Sequence, residues 1–246
     1  MRPPPKASAG FAGFRPAAFA FFRGLATNQT KAWFEDNRDA YEAEIRLPSV
    51  AVAEQVAAAY ASLDLPLSGD AKRSLFRLNR DVRFSKDKSP YKTHAGIVWM
   101  RPGYKKESAG VTYLHLADEG CFVGAGFWHV EREELDAIRE AIRVDPAGFT
   151  AAVAHAESAG LALDTSDGLV RAPRGFEDIT DPAILPAIKA RNLLVTARLT
   201  KRDVGSATLV PRIVELTQAM LPFLQFGWNA IAEAGPPPDW SRLQGR

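Results

Sequence analysis

The residues best equipped for chemistry are concentrated between Leu75 and His94, where Arg77, Arg80, Arg83, Lys86, Lys88 and Lys92 are interspersed with Asp81, Asp87, Ser85, Ser89, Tyr91 and His94. Guanidinium forks, flexible ammonium groups, hydroxyls and aromatic rings form an inventory suited to gripping a phosphate or a carboxylate. Arg77, projecting from a strand, and Arg80 and Arg83, following at intervals of three, converge only if the chain turns near Asp81. Asp81 would then orient a guanidinium or serve as a base, while Tyr91, Lys88 or His94 would donate or shuttle a proton. From Lys72 to Lys92 eight cations face only Asp81 and Asp87, a surplus of six positive charges in a chain of formal net charge +2. Such asymmetry accompanies anion recognition, and an internal acidic partner explains it equally well.

The surplus has three readings. In the first, the segment builds a pocket for an anionic small molecule, as in an enzyme acting on a phosphorylated or carboxylated metabolite. Arg77, Arg80, Arg83, Lys86, Lys88 and Lys92 would bind, with Arg38 as a further cation and Trp33, Trp128 and His129 as the wall. In the second, the arginines are staples of a non-catalytic interaction module, paired with Glu35, Asp36, Asp39, Glu42 and Glu44 of the helix Lys31 to Arg46. The third is a nucleic-acid surface, for which a dispersed basic face and a pI well above about 9 would be more typical than the 8.7 that this sequence implies.

Local signatures of other chemistries are missing. No Gly-Lys-Ser or Gly-Lys-Thr closes a phosphate-cradling loop, and Gly124 and Gly126 lack the third glycine of a dinucleotide fingerprint. His94, His115, His129 and His155 are the whole histidine supply, and none sits in a helical zinc pair. Convergence of His94, His115 and His129 from adjacent strands is geometrically open, but no metal site is expected from such scattered ligands. No Gly-x-Ser-x-Gly elbow is present, and no motif names a cofactor.

These residues need a scaffold. The 46% hydrophobic and 24% charged content is that of an ordinary globular chain. Pro16 predicts the first turn of a helix carrying Phe19, Phe22 and Leu25; Asn28 or Thr30 caps a second through Trp33, Tyr41 and Ile45; Pro48 restarts a third through Val52, Val56 and Tyr60. The period then changes, with Phe76 and Leu78 alternating against Arg77 and Asn79, followed by β-like runs at Gly96 to Met100, Val111 to Leu116 and Cys121 to Trp128. Helices are expected from Glu131, behind Asp145-Pro146 and behind Asp181-Pro182. A strand is expected from Leu193 to Leu199, and two closing helices, Leu209 to Met220 and Phe223 to Ile231. The fold class is α+β, a mostly antiparallel meander flanked by N-terminal and C-terminal helices, in one domain over 11–234 with tails at 1–10 and 235–246. The lone Cys121 reads as a core hydrophobe in a reducing compartment. Arg15, Pro16 and Arg23 interrupt the apolar start, so neither a signal peptide nor a membrane span is expected and cytoplasmic placement follows.

The segments Lys31-Ala-Trp33-Phe34-Glu-Asp-Asn37-Arg38-Asp-Ala-Tyr41-Glu42 and Arg77-x-x-Arg80-Asp81-x-Arg83-Phe84-Ser85-Lys86-Asp87-Lys88-Ser89-Pro90-Tyr91-Lys92 carry a resemblance. So do Gly124-Ala-Gly126-Phe-Trp128-His129, Ile138-Arg139 to Ile142, and Arg171-Ala-Pro173-Arg174-Gly175-Phe176. Together they resemble the bacterial and fungal family of domain of unknown function 2461, over nearly the whole chain after Phe11. Ala125 and Val130 stand where that family's pattern leads one to expect glycine and proline, and a histidine expected near Asp181-Pro182 is absent. The resemblance implies a single-domain, mostly bacterial cytoplasmic protein, and the family name assigns no activity.

Overall fold

The computed structural model describes residues 10–83, 85–104 and 109–234, so the proline-bearing ends and Phe84 lie outside the described residues. Helix α1 (Pro16–Thr27) starts on a proline, whose missing N–H would have had no helical partner, and buries Phe19, Phe21, Phe22 and Leu25. Helix α2 (Lys31–Asp36) opens on Thr30, whose hydroxyl accepts from the Trp33 N–H. Asn37 interrupts it, and α3 (Arg38–Tyr41) widens into a π-helical turn at Glu42–Arg46 that runs directly into α4 (Leu47–Ser62). The expected restart at Pro48 is therefore corrected. Leu47 N–H bonds five residues back to Glu42, and this wider turn admits a proline ring that would clash with a carbonyl four residues back.

Strands β1 (His94–Trp99), β2 (Val111–Ala117), β3 (Cys121–Phe127), β4 (Ala162–Leu163) and β5 (Leu193–Leu199) form an antiparallel sheet in the order β1-β2-β3-β5-β4. Helices α5 (Arg132–Val144) and α6 (Pro146–Ser158) follow β3. Glu131 and Glu134 form a capping box on α5, and Asp145 accepts from Gly148 N–H to start α6. After α7 (Leu185–Lys189), β5 and the short α8 (Lys201–Val204), the chain ends in α9 (Leu209–Glu233). The two helices expected there are one, and Pro222 lies inside it between buried Met220 and Phe223. The strand expected at Phe76 and Leu78 is reduced to isolated pairs, Leu75 with Ile97 and Asn79 with Tyr91.

One sheet face, through Ile97, Trp99, Leu114, Leu116, Val123, Phe127, Leu193 and Val195, is buried beneath α4 and α9. Tyr60 of α4 anchors this layer, its hydroxyl 2.6 Å from Thr217 of α9. The opposite face carries His94, Tyr113, His115 and Phe122, all half-buried. A hydrophobic cluster connects Phe11 to Ala230. Among the described residues no helix is long and apolar enough to cross a membrane.

Candidate functional site

The cationic segment folds back on itself. Its arms pair through Arg80 N–H to Pro90 O (2.9 Å) and Lys92 N–H to Leu78 O (2.8 Å). The tip is closed by its own groups: Arg83 forks onto Asp81 at 3.0 and 2.7 Å, Arg80 bonds Asp87, and Lys88 donates to the Val82 carbonyl at 2.9 Å. Hydrogen bonds from the Arg83 side chain and backbone hold the Asp81 carboxyl down at about 2, leaving a feeble base at neutral pH. Ser89 and then Arg80 hold Asp87 still further below its ordinary range. The expected staples to the helix Lys31 to Arg46 are not present among the described residues. Glu35 pairs with Arg38, Glu42 with Arg46 and Glu44 with Arg15. Partners a few residues away close a shorter loop than partners on another element, and they have taken the arginines.

Arg77 is the exception. It lines a pocket of about 290 Å³ between α2–α3 and the folded-back segment. Lys31, Phe34, Glu35, Arg38 and Tyr41 face it from the helices, and Leu78, Asn79 and Tyr91 from the segment. Two contacts join the walls: Tyr91 N–H donates to Gln29 Oε1 at 3.0 Å, and the Phe34 and Tyr91 rings stack with centroids 4.7 Å apart. Arg38 is held in place by a bidentate pair with Glu35 at 2.9 and 2.7 Å and lies over the Phe34 ring. Burial, with Glu42 nearby, pushes the Tyr41 phenol up, so it stays a neutral hydrogen-bonding group. Lys31 and Arg77 have neither hydrogen-bond nor ion-pair partner among the described residues. Lys31, Tyr41 and Asn79 were not among the residues expected from sequence. Lys31, Phe34, Glu35, Arg38 and Tyr41 recur at steps of one, three and four, the signature of one helical face, which would have found two of them.

The remaining expected residues are spread out. Lys86 and Lys88 are exposed on the tip, and Lys92 lies over the Phe76 ring at 5.3 Å. Trp33 packs on Phe21 beneath Gly24, one residue off the pocket face. Trp128, 57% exposed, and His129 sit together at the far end of β3, where His129 N–H bonds Asn192. Of the three histidines, His94 and His115 meet on the open sheet face with centroids 4.5 Å apart, and His129 stays away. His115 stacks on Phe122 and its Nδ1 lies 3.2 Å from the Tyr113 hydroxyl. Among the described residues no three His, Cys, Asp or Glu side chains gather as a metal site.

Burial, then the neighbouring His115, Lys92 and Arg80, hold His94 down at about 4, and burial lowers His115 as well. At neutral pH His94 therefore accepts a proton poorly. On His94 the unfolded chain binds a proton near pH 6.5 and the folded chain resists until about pH 4, so the stability from keeping this ring neutral is complete above pH 6.5 and lost as pH falls toward 4, and His115 shifts in the same direction. After allowance for solvent screening the effect is about 1 to 2 kcal/mol. Urea titrations from pH 7 to 4 check it: His94→Gln should lose less stability over that interval than the parent, and parallel curves would refute the assignment.

A larger cleft of about 890 Å³ lies between the chain's start, α4 and α8. It is lined chiefly by Phe11, Phe14, Phe19, Leu47 and Val50; its cations Arg15 and Lys201 are matched by Glu44 and Asp118, and a third, Arg202, shares the lining with Glu44 and Glu54. The smaller pocket is the better site because it gathers unmatched charge and hydroxyls in one concave place. No curated protein and no solved structure matches the chain. A family model described as a conserved hypothetical protein, DUF2461, matches residues 17–226, which contain α1 but for its first residue, α2 to α8, the whole sheet and every residue of the pocket. With most of its length covered, the chain belongs to the DUF2461 family.

Proposed function

We propose that the protein recognises a small anion in the pocket between α2–α3 and the segment Arg77 to Tyr91. One observation carries the reading: Arg15, Arg23, Arg38, Arg46, Arg73, Arg80, Arg83 and Arg139 each have a carboxylate at ion-pair distance, whereas Lys31 and Arg77, on two different elements, border one concavity with Glu35 and Asp81 acting on them only through space. Like charges brought together raise the energy of the folded state until an anion offsets them. Tyr41 and Tyr91 supply phenol groups beside them. The site residues of this reading are Lys31, Arg38, Arg77, Tyr41, Tyr91 and Asn79, while Arg80 and Arg83 serve to shape the loop.

Phosphate or sulfate at a hundredfold excess over its dissociation constant should raise the melting temperature by about 5 to 10 °C, the size expected from about 2.7 kcal/mol in a chain of this length. Arg77→Glu and Lys31→Glu should each abolish the rise, and Lys86→Glu, on the exposed tip outside the pocket, should keep it. A rise that survives both pocket reversals, or no rise in the parent protein, refutes the proposal.

A further inference from the structure

We infer that the natural ligand of this pocket is a phosphomonoester dianion built on a chain of three to five carbons; the inference rests on the anion-pocket reading above. Charge is the first argument. Lys31, Arg38 and Arg77 line the pocket against the single lining carboxylate of Glu35, an excess of two positive charges in the lining that Asp81, outside it, offsets only through space. A carboxylate or a sulfate ester brings one negative charge, whereas a phosphomonoester brings about 1.5 to 2 at neutral pH. Shape is the second. Glu35 already occupies the fork of Arg38, leaving Lys31 from α2 and Arg77 from the facing segment as donors from two sides. A tetrahedral group with three acceptor oxygens satisfies donors arriving from two sides, whereas a planar carboxylate is best matched by one fork.

Size is the third argument. A pocket of 290 Å³ holds roughly the volume of ten liquid water molecules and falls at the lower edge of the range for drug-sized ligands. Beyond one phosphate it encloses only a short carbon chain, and because the pocket is half open, anything larger would extend into solvent past the exposed Lys31 and Arg77. The groups around that remaining space are the Asn79 amide and the hydroxyls of Tyr41 and Tyr91, which donate to and accept from alcohols. The chemistry that fits is a triose- to pentose-sized sugar or polyol phosphate.

Calorimetric titration of the full chain with inorganic phosphate, glycerol 3-phosphate and glycerol 3-sulfate tests this, because the two esters share a shape and differ by about one charge. Glycerol 3-phosphate should bind about tenfold more tightly than the sulfate, the worth of one further charge-assisted contact. Lys31→Gln and Arg77→Gln should erase that advantage, and Lys86→Gln should retain it. Equal affinity for the two esters, or an advantage unchanged in the pocket variants, overturns the dianion inference while leaving the anion pocket standing. Failure of all three compounds to bind overturns both.

Discussion

Replacing Arg139 with methionine should destabilise the protein by about 3 to 5 kcal/mol, the cost of breaking a buried, fully hydrogen-bonded charge. Arg139 lies on α5, 5% exposed, and its guanidinium reaches across to the turn that ends α7 and leads into β5. Nε donates to Ile188 O at 2.9 Å, one Nη to Ala190 O at 2.8 Å and the other to Asp136 at 2.8 Å. The last carbonyls of a helix have no donors within it, so Arg139 stands in for the missing turn. Methionine fills much of the same space and leaves two buried carbonyls without their donor, while the partly exposed Asp136 keeps Arg132. Equilibrium unfolding in urea should show a midpoint lowered by about 1 to 2 M with an unchanged slope. Lysine, with its single point of charge, should recover only part of the loss. A methionine variant with the parent midpoint would show that this guanidinium does not hold α5 to the sheet.

The second large effect is expected at Gly126, near the end of β3. Its φ is +148°, and a Cβ there would lie 2.0 Å from the Leu193 carbonyl oxygen and 2.9 Å from Leu194 Cα. Both neighbours are backbone of β5, paired to β3 along its whole length, so neither side has a flexible end that gives way. Gly126→Ala should cost about 2 to 4 kcal/mol, combining backbone strain with overpacking. Gly103 supplies the comparison, since its φ of +84° carries the conformational cost but nothing among the described residues lies within 4 Å of its Cβ position. Gly103→Ala should cost about 1 kcal/mol. If thermal or urea unfolding finds the two variants alike, steric closure at Gly126 is not the reason for its glycine.

Much of the scaffold was legible because period and punctuation agreed. β5 runs from Leu193 to Leu199 as its alternation implied, and Asp145-Pro146 starts α6 where a cap and a first-turn proline should. Pattern failed where it reports facing without reporting pairing. Phe76 and Arg77 do face opposite ways, toward Tyr113 and toward the pocket, yet the chain there touches β1 only at isolated positions. Pro222 reads as a helix boundary, and α9 passes through it because Met220, Phe223 and Leu224 are all buried in the core. β4, two residues long, is too short for any periodicity. At the candidate site, Arg77 and Arg38 were named from the sequence and both line the pocket, and their separation from Arg80 and Arg83 was not legible there. Charge spacing says how many cations a segment holds. Which of them meets a neighbouring carboxylate is decided by the fold-back at Asn79 and Tyr91, a tertiary event.

Cys121 opens β3, the middle strand of the sheet, with Leu116 on one side and Leu199 on the other. It is the only cysteine in the chain, is buried with Sγ 3.5 Å from the Ala117 carbonyl, and its thiol is pushed up by desolvation. A thiol in that state is inert toward alkylating and disulfide reagents until its strand separates from its neighbours. The molecule thus carries an unengineered clock: dilute reagent reads how often the heart of the sheet is open, and excess reagent reads how fast it opens.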